Sequence, residues 1–212
     1  MKLSFFPLPS VFFPGERVPL HVFEERYKQL IADCREYAYT FGMPVYIDNV
    51  LAYGTEMQLE EIMNTYDNGE MDIICSAKRV FKMVTFENQL ANKLYAGGVV
   101  EFLENVDDGT AEQKQSVLGL IGQLYALMGV PLAALDKDRF TSFSLAHKVG
   151  LTLGQEHHLL QISHESGRLA FLEQHLRTTI PVLRAVNRTK ETIELNGHFR
   201  NFDPLDFEDF KI

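Results

Sequence analysis

Prolines dominate the start of the chain and limit what it can form. Four of them lie within the first 19 residues: Pro7, Pro9, Pro14 and Pro19. Each fixes φ and lacks a backbone N–H, so this stretch has to run as short extended pieces joined by corners. Residues 23–37 contain no Pro or Gly, and their apolar side chains recur at helical spacing. We therefore predict strands and corners up to Pro19, followed by a first helix.

The following residues, up to about 107, show strand-like patterning. Runs rich in Val, Ile, Phe and Tyr alternate with turn signals, which predicts a mainly β half. The runs cover residues 41–50, 56–66, 71–75, 79–86 and 99–104. The turn Asp67-Asn68-Gly69 predicts a hairpin, because Asn and Gly tolerate the positive φ angles of tight turns.

After Asp107-Asp108-Gly109 the apolar period changes from two to about 3.6, which predicts helices. Thr110 and Gln113 have the spacing of a capping box for a helix that ends at Gly129. Three more helices are predicted over residues 139–148, over 156–162 and from Ser163 onward. The predicted fold class is α+β, with a β-rich subdomain at 1–107, a helical bundle at 108–195 and a C-terminal tail at 196–212.

The opening also carries specific motifs. They are a Phe-Pro-Gly corner at residues 13–15, a Pro-Leu-His-Val-Phe-Glu run at 19–24, an Arg-Tyr pair at 26–27, and Gly-Arg-Leu at 167–169. This pattern closely resembles the N-terminal, substrate-binding domain of Lon-type ATP-dependent proteases (peptidase family S16), over residues 1 to about 190. The resemblance implies an N-terminal PUA-like β-barrel followed by a C-terminal helical bundle.

The resemblance also implies a function without catalysis. Lon proteases carry an ATPase module and a Ser-Lys protease module, but this sequence has no Gly-x-x-x-x-Gly-Lys-(Ser/Thr) loop and no recognisable catalytic Ser-Lys context. We predict a stand-alone substrate-recognition domain that is not an enzyme and uses no cofactor. It would bind unfolded or hydrophobic polypeptide segments through an apolar groove, with a protease or chaperone as the partner that receives its clients.

Six residues of the opening motif are candidates for contacting peptide: Phe5, Phe12, Phe13, His21, Glu24 and Arg26. Adjacent aromatic residues in an extended chain point to opposite sides, so one of each pair can face away from the core. The charged residues would form the rim of a peptide groove. In the alternative interpretation they lock the first helix in place, since a charge at a helix start satisfies free N–H groups.

Charge and composition argue against several classes of partner for this protein. A net charge of −9 argues against a nucleic-acid binder, because neutralising phosphates requires clustered Lys and Arg. Cys34 and Cys75 are far apart in the sequence, and we interpret them as reduced residues of the core. We interpret the histidines as solvated residues on helix faces. The sequence therefore predicts no metal site. No run of about 18 apolar residues predicts a membrane span, and the expected location is cytoplasmic.

Two other functions stay open. One is an adaptor that makes a single specific protein complex, as Lon-like domains do in some eukaryotic ubiquitin ligases. The other is an RNA-binding module, because PUA-type barrels often bind RNA, although the acidic charge argues against it.

The C-terminal tail has its own pattern. Four aromatic residues, Phe199, Phe202, Phe207 and Phe210, are interleaved with Asp203, Asp206, Glu208 and Asp209. Aromatic residues spaced between acids are typical of a docking segment that binds a hydrophobic groove, either of its own chain or of a partner. The alternative is a final irregular arm packed on the domain.

Overall fold

The computed structural model of the protein describes residues 1–48, 50–131 and 140–199, with side chains up to residue 193. The strands are β1 (Lys2–Phe5), β2 (Arg17–Val22), β3 (Phe41–Ile47), β4 (Val50–Thr65), β5 (Met71–Met83) and β6 (Ala96–Phe102). The helices are α1 (Glu25–Tyr37), α2 (Ala111–Met128), α3 (Ser142–Leu145), α4 (Leu153–Leu160) and α5 (Glu165–Phe199), with a 3₁₀ turn at Ala146–Lys148. Of the helices described, none is both long and apolar enough to cross a bilayer.

The first half is a closed barrel, which confirms the predicted α+β class with an N-terminal β-barrel. The strand order is β2-β5-β4-β3-β1-β6, and pairing of β5 with β6 closes β1, β3, β4, β5 and β6 into a ring. Strand β2 pairs with β5 and stands outside this ring. This edge position accommodates Pro19, because an edge strand does not need every backbone N–H for its ladder.

Strands β4 and β5 form a long antiparallel hairpin with three register shifts. The predicted turn at residues 67–69 joins them, with Gly69 at φ +79°. The sequence predicted two separate strands over residues 71–75 and 79–86, but the structure has one continuous strand, β5. Strand β5 pairs with β2, β4 and β6 along its length, so its ladder continues through the polar residues between the two apolar runs.

Two glycines allow strands of the barrel to approach closely. A Cβ atom on Gly98 in β6 would collide with the backbone carbonyl of Thr85. A Cβ atom on Gly54 in β4 would collide with the carbonyl oxygen of Met43 and lie 2.6 Å from the Cα atom of Pro44. Residues with side chains would therefore push the neighbouring backbone away at both positions.

Helix starts in the second half follow side-chain caps. The predicted capping box of α2 is present, with Gln113 N donating to Thr110 Oγ1 at 3.2 Å. Helix α4 starts at Leu153, earlier than predicted, because Thr152 caps it together with Gln155. The predicted helix over residues 139–148 is divided into α3 and the 3₁₀ turn.

The start of α5 is held from a distant part of the chain. Asp108 accepts hydrogen bonds from the backbone N–H of Ser166 at 2.9 Å and from its hydroxyl at 3.0 Å. The imidazole Nδ1 of His164 lies 2.9 Å from Asp108 Oδ2, the same oxygen that accepts the Ser166 hydroxyl. These bonds lower the pKa of Asp108 to about 2, so the residue serves as a permanent anion at the helix start. The helix that the sequence predicts from Ser163 onward therefore begins at Glu165.

The two halves share one apolar core. Barrel residues Phe13, Val45 and Val80 belong to the same cluster of buried side chains as the inner faces of α2 and α5. A second cluster packs α1 against the barrel. The predicted boundary near residue 107 falls between β6 and α2, within this packed arrangement. Of the predicted tail, residues 200–212 lie outside the described part of the chain.

A buried ion pair ties the start of α5 to its surroundings. Arg168 is 3% exposed and its guanidinium lies 2.8 Å from the Glu165 carboxylate. It also donates to Ser142 Oγ at 2.9 Å and to Asn105 Oδ1 at 2.7 Å, and it stacks over the Phe143 ring at 4.2 Å. The motif arginine at residue 168 therefore has a structural role, joining the segment after β6 to α3 and α5.

Both cysteines are buried free thiols, as the sequence predicted. Cys75 is 0% exposed and Cys34 is 3% exposed, and both pack in the cluster beneath α1. Burial raises the pKa of each thiol to about 12. Neither thiol is therefore ionised at neutral pH, and neither is an effective nucleophile.

Candidate functional site

The Phe-Pro-Gly corner turns the chain inward. Gly15 has φ +93°, a conformation that L side chains rarely adopt, and its N–H donates to Ala77 O at 2.9 Å. The Glu16 carboxylate accepts from the backbone N–H of Phe13 at 3.0 Å. The corner thus fixes Phe13 in the shared core, where its ring stacks on Phe143 at a centroid distance of 5.2 Å.

The predicted aromatic site residues lie mainly in the core. Phe5 and Phe13 are 0% exposed, and Phe5 stacks on Phe81 at 6.0 Å. The neighbour of Phe5, Phe6, faces the other way, but it stacks on Tyr27 of α1 at 3.7 Å. Both sides of this segment are covered, so alternation exposes neither ring. The peptide-contacting role predicted for Phe5 and Phe13 has no surface to act through.

Phe12 occupies an intermediate position. Its side chain is half-buried and packs against the cluster beneath α1. Its backbone carbonyl accepts a hydrogen bond from the buried Thr55 hydroxyl. Only part of the Phe12 ring can meet a ligand.

An exposed aromatic surface surrounds His21, at the end of β2. We call it the His21 surface; it comprises His21, Phe23, Tyr66, Glu70 and Asp72. The imidazole lies 2.7 Å from Asp72 Oδ1 through Nδ1 and 3.2 Å from Glu70 Oε2 through Nε2. The centroid of its ring lies 6.2 Å from that of Phe23 and 6.0 Å from that of Tyr66. Phe23 is 59% exposed and Tyr66 is 43% exposed. Only His21 of this group was a predicted site residue.

Hydrogen bonding sets the charges of the His21 surface. The bond to Asp72 raises the pKa of His21, with Glu70 adding to the effect. The Tyr66 hydroxyl donates to Asp72 Oδ2 at 2.6 Å and, together with His21, lowers the pKa of that carboxyl. The arrangement holds two aromatic faces open to solvent beside an ionic network, which suits stacking against a protein partner.

Glu24 and Arg26 bind each other beside this surface. Arg26 Nε donates to Glu24 Oε2 at 2.8 Å, and the guanidinium lies over the Tyr27 ring at 4.5 Å. Glu24 is the N-cap residue of α1, but its side chain makes no capping hydrogen bond. The expectation that its charge satisfies helix N–H groups is therefore wrong, because Arg26 takes the carboxylate. The pair forms a half-exposed rim next to Phe23.

His147 bridges the barrel and the bundle. Its Nε2 lies 3.2 Å from Glu16 Oε1 of the corner, and its Nδ1 lies 2.7 Å from Glu156 Oε1 of α4. These carboxylates raise the pKa of His147 to about 9, so the imidazole is charged at neutral pH. The interpretation of this histidine as a solvated helix-face residue is corrected. Within the residues described, no group of three or more His, Cys, Asp or Glu is arranged to hold a metal ion.

An apolar groove lies between α2, α5 and the 3₁₀ turn. We call it the α2–α5 groove, and its volume is about 610 Å³. Its apolar lining consists of Leu124, Met128, Val149, Val182, Leu183 and Val186. Three of these side chains are open to solvent: Met128 is 48%, Val182 62% and Val186 44% exposed. Such a contiguous exposed apolar surface on a folded domain is typical of a binding site.

The groove lies beside the last turns of α2. Helix α2 ends at Gly129, which has φ +66°, and Asn187 Nδ2 of α5 donates to Leu127 O at 2.8 Å near that end. The apolar spacing of α5 continues through Val182 and Val186, and both side chains line the groove while remaining exposed. This continued apolar spacing on α5 is the sequence signal for the groove.

The edge of the groove is cationic. Lys148 lines it, whereas the charge of the neighbouring His147 is balanced by Glu16 and Glu156. Between residues 174 and 190 the sequence of α5 has no Asp or Glu, and its cations are Arg177, Arg184, Arg188 and Lys190. An occupant that combines apolar side chains with carboxylates would match this groove.

The closed barrel and the attached bundle define an α+β domain with an open apolar groove on its helical half. A family model described as the ATP-dependent protease La (LON) substrate-binding domain matches residues 2–176. The chain belongs to this family, which confirms the resemblance read from the sequence.

Solved structures agree with the family. The chain is similar to a Lon N-terminal domain protein from Xanthomonas campestris, with 28% identity, a TM-score of 0.65, and coverage of 81% of this chain and 96% of that one. It is also similar to the N-terminal domain of a Mycobacterium avium complex Lon protease, with 14% identity, a TM-score of 0.62, and coverage of 84% and 98%. The latter likeness concerns the fold alone. No curated protein matches the sequence significantly.

Proposed function

We propose that this protein recognises unfolded polypeptide segments by taking their apolar side chains into the α2–α5 groove. The observation that carries the proposal is the open apolar lining, in which Val182 is 62% exposed although it sits in a concave surface. The family description, a substrate-binding domain, supports a recognition role. The cationic edge favours segments that also carry carboxylates.

The binding should be weak and broad. Each apolar side chain that becomes buried contributes roughly 1.5–3 kcal/mol. Ordering an unfolded segment offsets much of this gain, and the groove has room for only a few side chains. Such a domain can accept many unrelated sequences, which is what recognition of unfolded proteins requires.

Binding of a permanently unfolded protein tests the proposal. We would measure fluorescence anisotropy of labelled, reduced and carboxymethylated α-lactalbumin with the full chain and with Val182→Arg. The variant places a charge in the groove and should weaken binding at least about tenfold. Val84→Arg is the matched control, since Val84 is 51% exposed on the barrel, away from the groove. Equal affinity of both variants would contradict the proposal.

In this function the protein acts without catalysis and delivers its clients to a protease or chaperone. Family membership supports this, since the substrate-binding domain is a separate part from the ATPase and protease modules. The test is to incubate the same α-lactalbumin with the full chain and ATP. Cleavage of the probe or hydrolysis of ATP would contradict a purely binding role.

The His21 surface favours a second candidate, an adaptor that makes one specific protein complex. Phe23 and Tyr66 are large, exposed and held in place by neighbouring contacts, as interface anchors are. Pull-down from native lysate should then recover one stoichiometric partner that Phe23→Ser loses. Phe86→Ser is the matched control, because Phe86 is 45% exposed elsewhere on the barrel. This variant should still recover the partner.

A further inference from the structure

We propose that residues 200–212 of this chain are an intramolecular ligand of the α2–α5 groove, which unfolded clients have to displace. This inference rests on the proposed function of the groove, because it assigns the regulation of that same site. The tail would keep the apolar lining covered when no client is present.

The composition of the segment matches the groove. Its apolar residues are Phe202, Leu205, Phe207, Phe210 and Ile212. From residue 202 onward the segment has four carboxylate side chains between these residues: Asp203, Asp206, Glu208 and Asp209. Lys211 is the one cation in the same range. Aromatic rings suit an apolar lining of branched side chains, and the carboxylates keep the segment soluble when it is displaced.

Charge complementarity selects this segment over an arbitrary apolar one. The groove is edged by Lys148, and between residues 178 and 190 α5 carries Arg184, Arg188 and Lys190 and no carboxylate. Lys148 is exposed where it lines the groove, so its ammonium is accessible to a carboxylate of the tail. Opposite charges at the edge of an apolar contact favour one partner and one orientation.

The chain geometry allows the contact and determines which rings can make it. Val186 and Phe199 lie on the same helix, 13 residues apart, which corresponds to about 20 Å at 1.5 Å per residue. An extended chain returning from Phe199 spans about 26 Å by Phe207, at 3.3 Å per residue, but only about 10 Å by Phe202. Phe207 and Phe210 can therefore reach the groove of their own chain, and Phe202 cannot.

Tethering makes this contact effective even if it is intrinsically weak. A short flexible connection gives an effective concentration on the order of millimolar. A tail with an intrinsic dissociation constant near 0.1 mM would then occupy the groove about nine-tenths of the time, lowering the apparent client affinity about tenfold. Removing Phe207 and Phe210 should therefore strengthen client binding.

A fluorophore on the tail of the full chain tests the proposal. Lys211→Cys can be labelled selectively with acrylodan, because Cys34 and Cys75 are buried thiols. We expect blue-shifted emission that shifts to the red in Phe207→Ala/Phe210→Ala and in Val182→Arg. Phe202→Ala and Val84→Arg are matched controls and should leave the emission unchanged. Adding carboxymethylated α-lactalbumin should also shift the emission to the red.

The outcomes separate this inference from the proposed function. Emission typical of water in the parent, or equal effects of Phe202→Ala and Phe207→Ala/Phe210→Ala, would overturn the tail contact. If α-lactalbumin still binds and Val182→Arg abolishes that binding, the proposed function stands and only the tail inference fails. A blue shift that appears only as protein concentration rises would place the tail in the groove of a second copy and overturn the intramolecular contact.

Discussion

His147 and Glu16 form an ion pair across the junction of the barrel and the bundle, with imidazole Nε2 3.2 Å from carboxylate Oε1. Glu156 completes the contact from α4, 2.7 Å from Nδ1. Glu16 also receives the backbone N–H of Phe13, so the same carboxylate holds the corner and the histidine. The ionisation of one side chain therefore couples the two halves of the molecule.

Stability should depend on the ionisation of His147. Its folded pKa of about 9 exceeds the ordinary histidine value of 6.5, so its contribution is complete below pH 6.5 and disappears as pH rises through 9. The side chain is 41% exposed, so solvent screening reduces the expected contribution to about 1 kcal/mol. Urea denaturation should show the parent more stable than His147→Gln at pH 6 and equal to it near pH 10. Parallel pH curves for the two proteins would contradict the assignment.

Loss of Arg168 should be severely destabilising. Arg168→Ala would leave the Glu165 carboxylate, 2% exposed, without its cation, and we expect a loss of about 3–5 kcal/mol in the free energy of unfolding. Arg177→Ala is the control, since Arg177 forms an exposed pair with Glu173 and should cost under about 1 kcal/mol. The double variant Arg168→Met/Glu165→Met should recover much of the loss, because no buried charge remains.

Two glycine substitutions should change stability in opposite directions. Gly98→Ala would force a Cβ atom into the Thr85 backbone and should lower the free energy of unfolding by about 2–3 kcal/mol. Gly119→Ala lies within α2 with nothing within 4 Å of the new Cβ atom, and should raise it by about 0.5–1 kcal/mol. Thermal denaturation measures both. A stable Gly98→Ala variant would refute the close approach of β6 to Thr85.

The thiols should be unreactive in the folded protein. Cys34 and Cys75 are buried, and burial raises the pKa of both to about 12. At pH 8, DTNB should modify neither thiol within minutes in buffer and both in 6 M guanidinium chloride. Fast reaction of one thiol in buffer would show that α1 opens readily, since Cys34 is on the buried face of that helix and Cys75 packs in the same cluster from β5.

The sequence predicts the helices, strands and turns better than it predicts which of them contact one another. Turn residues and apolar period predict the hairpin at 67–69, the capping box at Thr110 and the change from β to α, because these signals are local. The long-range relationships were out of reach. Asp108 caps a helix 58 residues away in sequence, and β5 continues through its polar stretch because three strands pair with it.

At the candidate site, too, local features could be predicted and features that depend on packing could not. His21, Glu24 and Arg26 are at the surface as predicted, but nothing local reveals that both sides of the Phe5-Phe6 segment are covered, one by Phe81 and the other by α1. The α2–α5 groove depends on how α2, α5 and the 3₁₀ turn pack against one another. That is a property of packing between elements, which a single sequence does not display.

The position of Phe13 has a practical consequence for work with fragments. Its ring belongs to the barrel by sequence, yet it is enclosed by side chains of the bundle. A fragment ending near residue 107 would present this ring, with Val45 and Val80, to water and should aggregate on expression. The full chain should melt in a single cooperative transition, and ligand-binding studies of the isolated barrel would describe a species that the intact protein never populates.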